Sequence, residues 1–167
     1  MKKVLTIFLL LTICLSTSAQ IQRKILGFTL GSSSKTAVYN YLKKNHIKFA
    51  NTEDGEYCAY NIKFAGQIWE NVWFSFYNGR LYNIEFTISE FKTPIKTLDI
   101  IYSRLSLSLK NKYSYYRNSS SEDLKFDDNV IEITLLYRYT ENIKSLRLMY
   151  SHIPSWNRKI ISEEDEL

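Results

Sequence analysis

The stretch "NVWFSFYNGRLYNIEFTI", Asn71 to Ile88, constrains the fold more than any other part of the chain. Two runs of alternating apolar and polar residues flank Asn78-Gly79, a dipeptide suited to a tight hairpin turn. A two-residue Asn78-Gly79 turn pairs Tyr77 with Arg80. With both strands regular, it sets Val72, Phe74 and Phe76 on one face with Asn83, Glu85 and Thr87, and neither face is a clean core. A three-residue loop, Tyr77-Asn78-Gly79 with the glycine as a left-handed bulge, pairs Phe76 with Arg80 and Phe74 with Tyr82 instead. Val72, Phe74, Phe76, Tyr82, Ile84, Phe86 and Ile88 then share a face. A one-residue slip would turn a whole strand over, so the bulged loop is the expected register.

That register leaves Trp69, Trp73, Tyr77, Leu81, Asn83, Glu85 and Thr87 on the other face. By the same alternation Cys58, Tyr60, Ile62 and Phe64 point to the core, and Tyr57, Asn61 and Lys63 away from it. Val130 to Tyr139 and Lys144 to Ser151 read as a second hairpin, with Ile131, Ile133, Leu135, Tyr137 and Tyr139 inward. Its outward residues are Glu132, Thr134, Leu136, Arg138, Arg147 and Met149. Aromatics edged by Arg and Met resemble the hot spots of protein interfaces. Trp69, Trp73, Tyr77, Leu81, Arg138 and Met149 are therefore the candidate protein-binding residues. The competing expectation is that "HIPSWNRKI", with Trp156, or a second copy of the chain covers this face.

Around the hairpins lie two helical patterns. Ser32 to Asn45 carries Val38, Tyr41 and Leu42 on one side and lysines mostly opposite. The second opens at Thr93-Pro94, with Thr93 as N-cap and Pro94 at the first helical position. It repeats Ile95, Leu98, Ile101, Tyr102, Leu105 and Leu109 at steps of three and four. "NTEDGE" (Asn51 to Glu56) and "NSSSED" (Asn118 to Asp123) read as loops, with a brief strand at Leu124 to Phe126. The order α-β-β-β-α-β-β predicts an α+β fold, a mostly antiparallel sheet with two helices on one face.

The chain opens with "MKKVLTIFLLLTICLSTSAQ", which has the basic start, short apolar core and small residues of a secretory leader, with cleavage after Ala19. An apolar run of about a dozen residues is too short to span a bilayer, which takes roughly 20. Cys14 follows a bulky Ile13, which argues against lipidation. The expected organisation is a leader over 1–19, one domain over 20–157 and a polar tail over 158–167, in a periplasmic or secreted protein. After cleavage 20 basic and 17 acidic residues remain, a balance of +3. Lys and Arg are interspersed with acids along the chain, so nucleic-acid binding is not expected. Cys58, the cysteine left beyond the leader, has no partner for an internal disulfide and reads as a core residue.

Catalytic motifs are sparse. "LGFTLGSSSKTAVYNYLKKN" has the glycines and Lys-Thr of a phosphate loop, but Ser34 stands where the motif needs glycine. It reads as an extended lead-in, a turn at Gly31 and a serine-capped helix. His46 and His152 lie far apart, and no His, Cys and acid spacing matches a metal site. No nucleophile-elbow motif is present. No catalytic, cofactor or metal site is assigned.

"ILGFTLGSSSKTAVYNYLKKNHIKF" followed by "WFSFYNGRLYNIEFTI" resembles small secreted proteins of the Bacteroidetes type. Their folds are similar to the β-lactamase-inhibitor-protein-like and BamE-like modules. The resemblance implies helices on one side of an antiparallel sheet, and protein binding through the sheet face. The expected function is thus an exported, non-catalytic protein-binding module, an inhibitor or envelope-assembly accessory whose protein partner the chain does not name. The alternatives are a homodimer through the aromatic face, or a ligand carrier or enzyme with a pocket between sheet and helices lined by Tyr60, Tyr82, Tyr137 and Tyr139.

Overall fold

In the computed structural model, which describes residues 20–113, 117–120, 123–140 and 143–164, Asn78 and Gly79 both take left-handed backbone angles (φ 48° and 70°). They form the two-residue turn, pairing Tyr77 with Arg80 and Phe76 with Leu81. The expected three-residue loop is therefore corrected. Two successive positive φ angles match the twist of the flanking strands. The extra residue lies instead inside the second strand. Ser75 pairs with Asn83, so Tyr82 is the bulge, and Phe74 pairs with Ile84 rather than with Tyr82. Val72, Phe74, Ile84, Phe86 and Ile88 stay on one buried face as expected, while Leu81 turns in.

The fold is α+β around an antiparallel sheet. A small hairpin, β1 (Lys24–Ile25) and β2 (Phe28–Thr29), leads into α1 (Lys35–Lys44). Then come β3 (Phe49–Asn51), β4 (Tyr57–Phe64), β5 (Gln67–Tyr77), β6 (Arg80–Ser89) and α2 (Ile95–Lys112). The chain continues through β7 (Arg117–Ser120), β8 (Asp123–Asp127), β9 (Ile131–Thr140), β10 (Ile143–His152) and α3 (Ile153–Glu164). The large sheet runs β3-β4-β5-β6-β10-β9-β8-β7, so the two long hairpins join at β6 and β10. β7 forms where a loop is expected, and α3 occupies much of the expected polar tail. The leader, with Cys14 and the Ala19 junction, lies outside the described residues.

α1 and α2 pack on the same face of the sheet. Ser34 caps α1, its Oγ accepting from the Ala37 amide at 3.1 Å, and Val38 and Leu42 are buried beneath the helix. Thr93 gives α2 no side-chain cap; the Pro94 carbonyl opens the ladder by accepting from Thr97 and Leu98. Leu98, Ile101, Leu105 and Leu109 form its buried stripe, whereas Ile95 is exposed. A polar tether adds to this packing. Tyr137 donates to Asp99 at 2.5 Å, and its ring stacks on Tyr102 at 5.0 Å. Burial first, and then the Asp99 carboxylate, push the Tyr137 phenol up to about 12, so it remains a donor at neutral pH.

A second correction concerns β4. Asn61 takes φ 58°, and there the alternation changes sides. Tyr57 packs against Tyr39, Phe49 and Phe76 on the α1 side. Cys58 pairs with Trp73 and Tyr60 with Asn71 on the opposite side. Beyond Asn61, Phe64 stacks on Phe86 at 4.5 Å, and Trp69 approaches Phe86 at 5.4 Å. Cys58 is buried, as expected, though as the cross-strand neighbour of Trp73 on the outer face rather than in the helix-facing core.

The Asn-Gly turn supplies a stability test. A Cβ at Gly79 meets no atom within 4 Å, so Gly79→Ala is opposed only by backbone conformation. The expected loss is about 1–2 kcal/mol, read as a lower denaturant midpoint. An unchanged midpoint would contradict the two-residue turn.

Candidate functional site

The strand registers order the face turned away from α1 and α2. One row runs Trp73, Glu85, Met149, Thr134 and Lys125 across five strands. The next runs Asn71, Thr87, Arg147, Leu136 and Asp123, and on the other side lie Ser75, Asn83, Ser151, Glu132 and Asp127. These residues share a face because each is two positions from the next along its strand.

α3 lies on this face, in contact with β5, β6 and β10. Trp156 packs on Tyr82, ring centres 5.8 Å apart, and the Lys159 ammonium stands over the same ring at 5.8 Å. The Tyr82 bulge thus provides a docking point for the helix. The expectation that the "HIPSWNRKI" segment covers the aromatic face is met in part. α3 buries the Tyr82 and Ser75 region and leaves the face open on both flanks.

On the β8–β9–β10 flank, a groove of about 580 Å³ separates α3 from the sheet. Its apolar surface comes from Leu136 and Met149 on the strands and Ile153 and Trp156 on the helix, with Lys125, Asp127, Glu132 and Arg138 at the polar margin. Lys125 pairs with Glu132 at 3.5 Å, Thr134 donates to Glu132 at 3.0 Å, and Arg138 pairs with the buried Asp123. On the other flank, Trp73 lines a shallower hollow of about 290 Å³ with Glu56, Ser75, Glu85, Thr87 and Arg147. Arg147 approaches Glu85 at 3.5 Å. Both charge signs alternate over this surface, and no one sign dominates it.

The six residues expected to form one patch do not stay together. Trp69 and Leu81 are fully buried and are corrected to core residues. Trp69 pairs with Ile62 just beyond the Asn61–Glu70 step, where both strands change sides, and its indole donates to the Phe64 carbonyl at 3.0 Å. Leu81 is turned in by the Tyr82 bulge. Trp73, Tyr77 and Met149 are half-buried and Arg138 is exposed. Trp73 and Met149 share a row two strand spacings apart, roughly 10 Å. Tyr77 sits at the turn end of β5, paired with Arg80. The expected tail, 158–167, takes in only the later part of α3, and the groove-lining Ile153 and Trp156 fall in the segment expected to cover the face, though not as one wall of a groove. Ile153, Trp156 and Ile160, with the Lys159–Glu163 pair four residues apart, are the helical signal there.

The four tyrosines of the alternative pocket do not converge either. Tyr82 meets α3, Tyr137 meets α2 on the opposite face, and Tyr139 is exposed. No three His, Cys, Asp or Glu side chains among the described residues gather as metal ligands. No helix among them is long and apolar enough to cross a membrane. No family model, curated protein or solved structure matches the chain.

His152 stands where β10 passes into α3. Its Nδ1 lies 2.7 Å from the Oγ of buried Ser155. Gly31 lies against the ring, where a Cβ would come within 2.5 Å. Burial first, then Arg158 and Arg23, hold the imidazole below its usual 6.5, and the positive end of α3 opposes a cation in the same sense. The native state therefore takes up this proton less readily than the unfolded chain does. Its contribution to stability is full above about pH 6.5 and is lost as the pH falls through the lowered native value. Between pH 7.5 and 5, His152→Asn is expected to lose less melting temperature than the wild type. Equal losses would show that His152 does not control the acid sensitivity of α3.

Proposed function

We propose that this is an exported, non-catalytic protein-binding module, an inhibitor or envelope-assembly accessory, whose contact surface is the outer sheet face beside α3. The observation that carries the reading is the groove, with Leu136, Met149, Ile153 and Trp156 inside and charges of both signs around them. Apolar and aromatic anchors within a polar margin are the usual anatomy of a protein interface. Strands supply one wall and a helix the other, so the groove is formed before a partner arrives. The resemblance to sheet-face binding modules points the same way, and the leader-like start of the chain supports export.

A second reading rests on the groove's size. A volume of about 580 Å³ is within the range of small-ligand sites, so a small amphipathic ligand is the alternative occupant. It replaces the pocket between sheet and helices, where core side chains fill the layer.

Leu136→Arg puts a charge on the groove floor without removing a core contact. Pull-down from the host's envelope fraction with wild type and this variant tests the reading. The expected result is loss of a specific partner by a variant whose melting temperature stays within about 2 °C. Recovery of every partner at the wild-type level would exclude the groove as the contact surface.

A further inference from the structure

The expectation that basic residues are interspersed with acids along the whole chain fails over its first part. Residues 20–52 contain Arg23, Lys24, Lys35, Lys43, Lys44 and Lys48 and no Asp or Glu. With 20 basic and 17 acidic residues from position 20 onward, the rest of the chain has 14 against 17. Folding brings four of these lysines to α1 and the edge of the sheet at β3. Lys43 stands 5.6 Å from the ring centres of both Tyr39 and Phe49, and Lys35 stands 5.3 Å from Tyr57 and 5.7 Å from Phe76. Tyr39 and Phe49 are themselves in edge contact, as are Phe49 and Tyr57, and Tyr57 and Phe76. The four rings form one continuous shelf, with lysines held along it and Lys44 and Lys48 exposed beside it.

None of the ion pairs among the described residues involves these four lysines. The nearest acids in sequence, Glu53 and Asp54, stand in the following turn and are paired with none of them. The helix dipole accounts for Lys43 and Lys44, which lie in the last turn of α1. Lys35, at the first turn, lies against Gly55 of the acidic turn at 53–56, whereas Lys48 lies beyond the helix and the dipole does not account for it. Lys43, Lys44 and Lys48 are thus exposed ammonium groups outside every ion pair among the described residues, beside Tyr39, 40% exposed, and the half-buried Phe49, while Tyr57 is buried behind them.

We propose that the α1–β3 face is a peripheral docking surface for a bilayer rich in anionic phospholipid. Charge complementarity carries the assignment. Ammonium groups meet headgroup phosphates, while lysine stems and the Tyr39 and Phe49 rings enter the boundary between headgroups and chains, where such amphipathic groups settle. This surface and the groove lie on opposite sides of the sheet. A protein seated on a bilayer through α1 therefore presents the groove away from it. The inference does not depend on what the groove binds.

The test uses the protein as exported, its N-terminus checked by mass. Vesicles of phosphatidylcholine, alone or mixed with phosphatidylglycerol, are sedimented with it at about 0.1 M salt. Binding is expected to the anionic vesicles alone and to weaken as salt is raised. The pair Lys43→Gln and Lys44→Gln is expected to lower partitioning about 30-fold, the effect of removing two lysines near a charged surface. Tyr39→Ser is expected to lower it further at fixed salt. All variants are compared at unchanged melting temperature. Equal binding to both vesicle types, or undiminished binding by the double variant, would overturn the proposal. Full displacement from vesicles by heparin or duplex DNA would overturn it too, by making the occupant a soluble polyanion.

Discussion

The cluster of rings around Phe86 is the interaction on which the rest of the structure depends. Phe64 stacks on it, and Trp69 and Tyr150 approach it from neighbouring strands. An aromatic side chain of this kind buries roughly 150–250 Å². At about 25 cal/mol per Å² that is on the order of 4–6 kcal/mol of transfer free energy each, as an upper estimate. Strict alternation along β4 and β5 would send Trp69 to the same side as Trp73 and break the cluster. Both strands change sides at the unpaired Asn61–Glu70 step, where Asn61 takes φ 58°. A left-handed residue costs roughly 1–2 kcal/mol, and asparagine tolerates it better than most. The ring burial outweighs that cost.

The same kind of irregularity builds the outer face. The Tyr82 bulge takes a large aromatic out of the helix-facing layer and places it under Trp156 and Lys159. Without it, α3 would meet only the short polar side chains of Ser75, Asn83 and Ser151 on these strands. With it, the helix has an aromatic foothold on the central strands, and the sheet to either side stays uncovered. The groove is a direct consequence, since its far wall is α3 and its floor is the part of β9 and β10 that α3 does not reach.

Much of this was legible in the sequence, and the exceptions have a common cause. The α+β class, both long hairpins and the core residues Val72, Phe74, Ile84, Phe86 and Ile88 follow from apolar periodicity. So do Ile131, Ile133, Leu135 and Tyr137. Tyr57, Cys58, Tyr60, Trp69, Leu81 and Tyr82 lie on the side opposite to the one that alternation gives them. Each lies at or beside one of two steps, Asn61–Glu70 and Tyr82, where the alternation is reset, and a period-two pattern has no means of locating such a reset. Asn-Gly did announce a left-handed backbone, but the extra residue was absorbed three positions later. α3 was hidden for a different reason. Its one buried residue is Ser155, so the apolar stripe that reveals a helix is mostly exposed, and an acid-rich end follows it.

The central claim is that these two resets sort the three tryptophans into different environments. Residue-resolved oxidative footprinting by mass spectrometry measures this directly, because indole oxidation follows solvent access. Strong modification is expected at Trp156, 41% exposed, and intermediate modification at Trp73, with Trp69 protected until the protein unfolds. Modification of Trp69 under native conditions at a rate similar to Trp156 would contradict the claim.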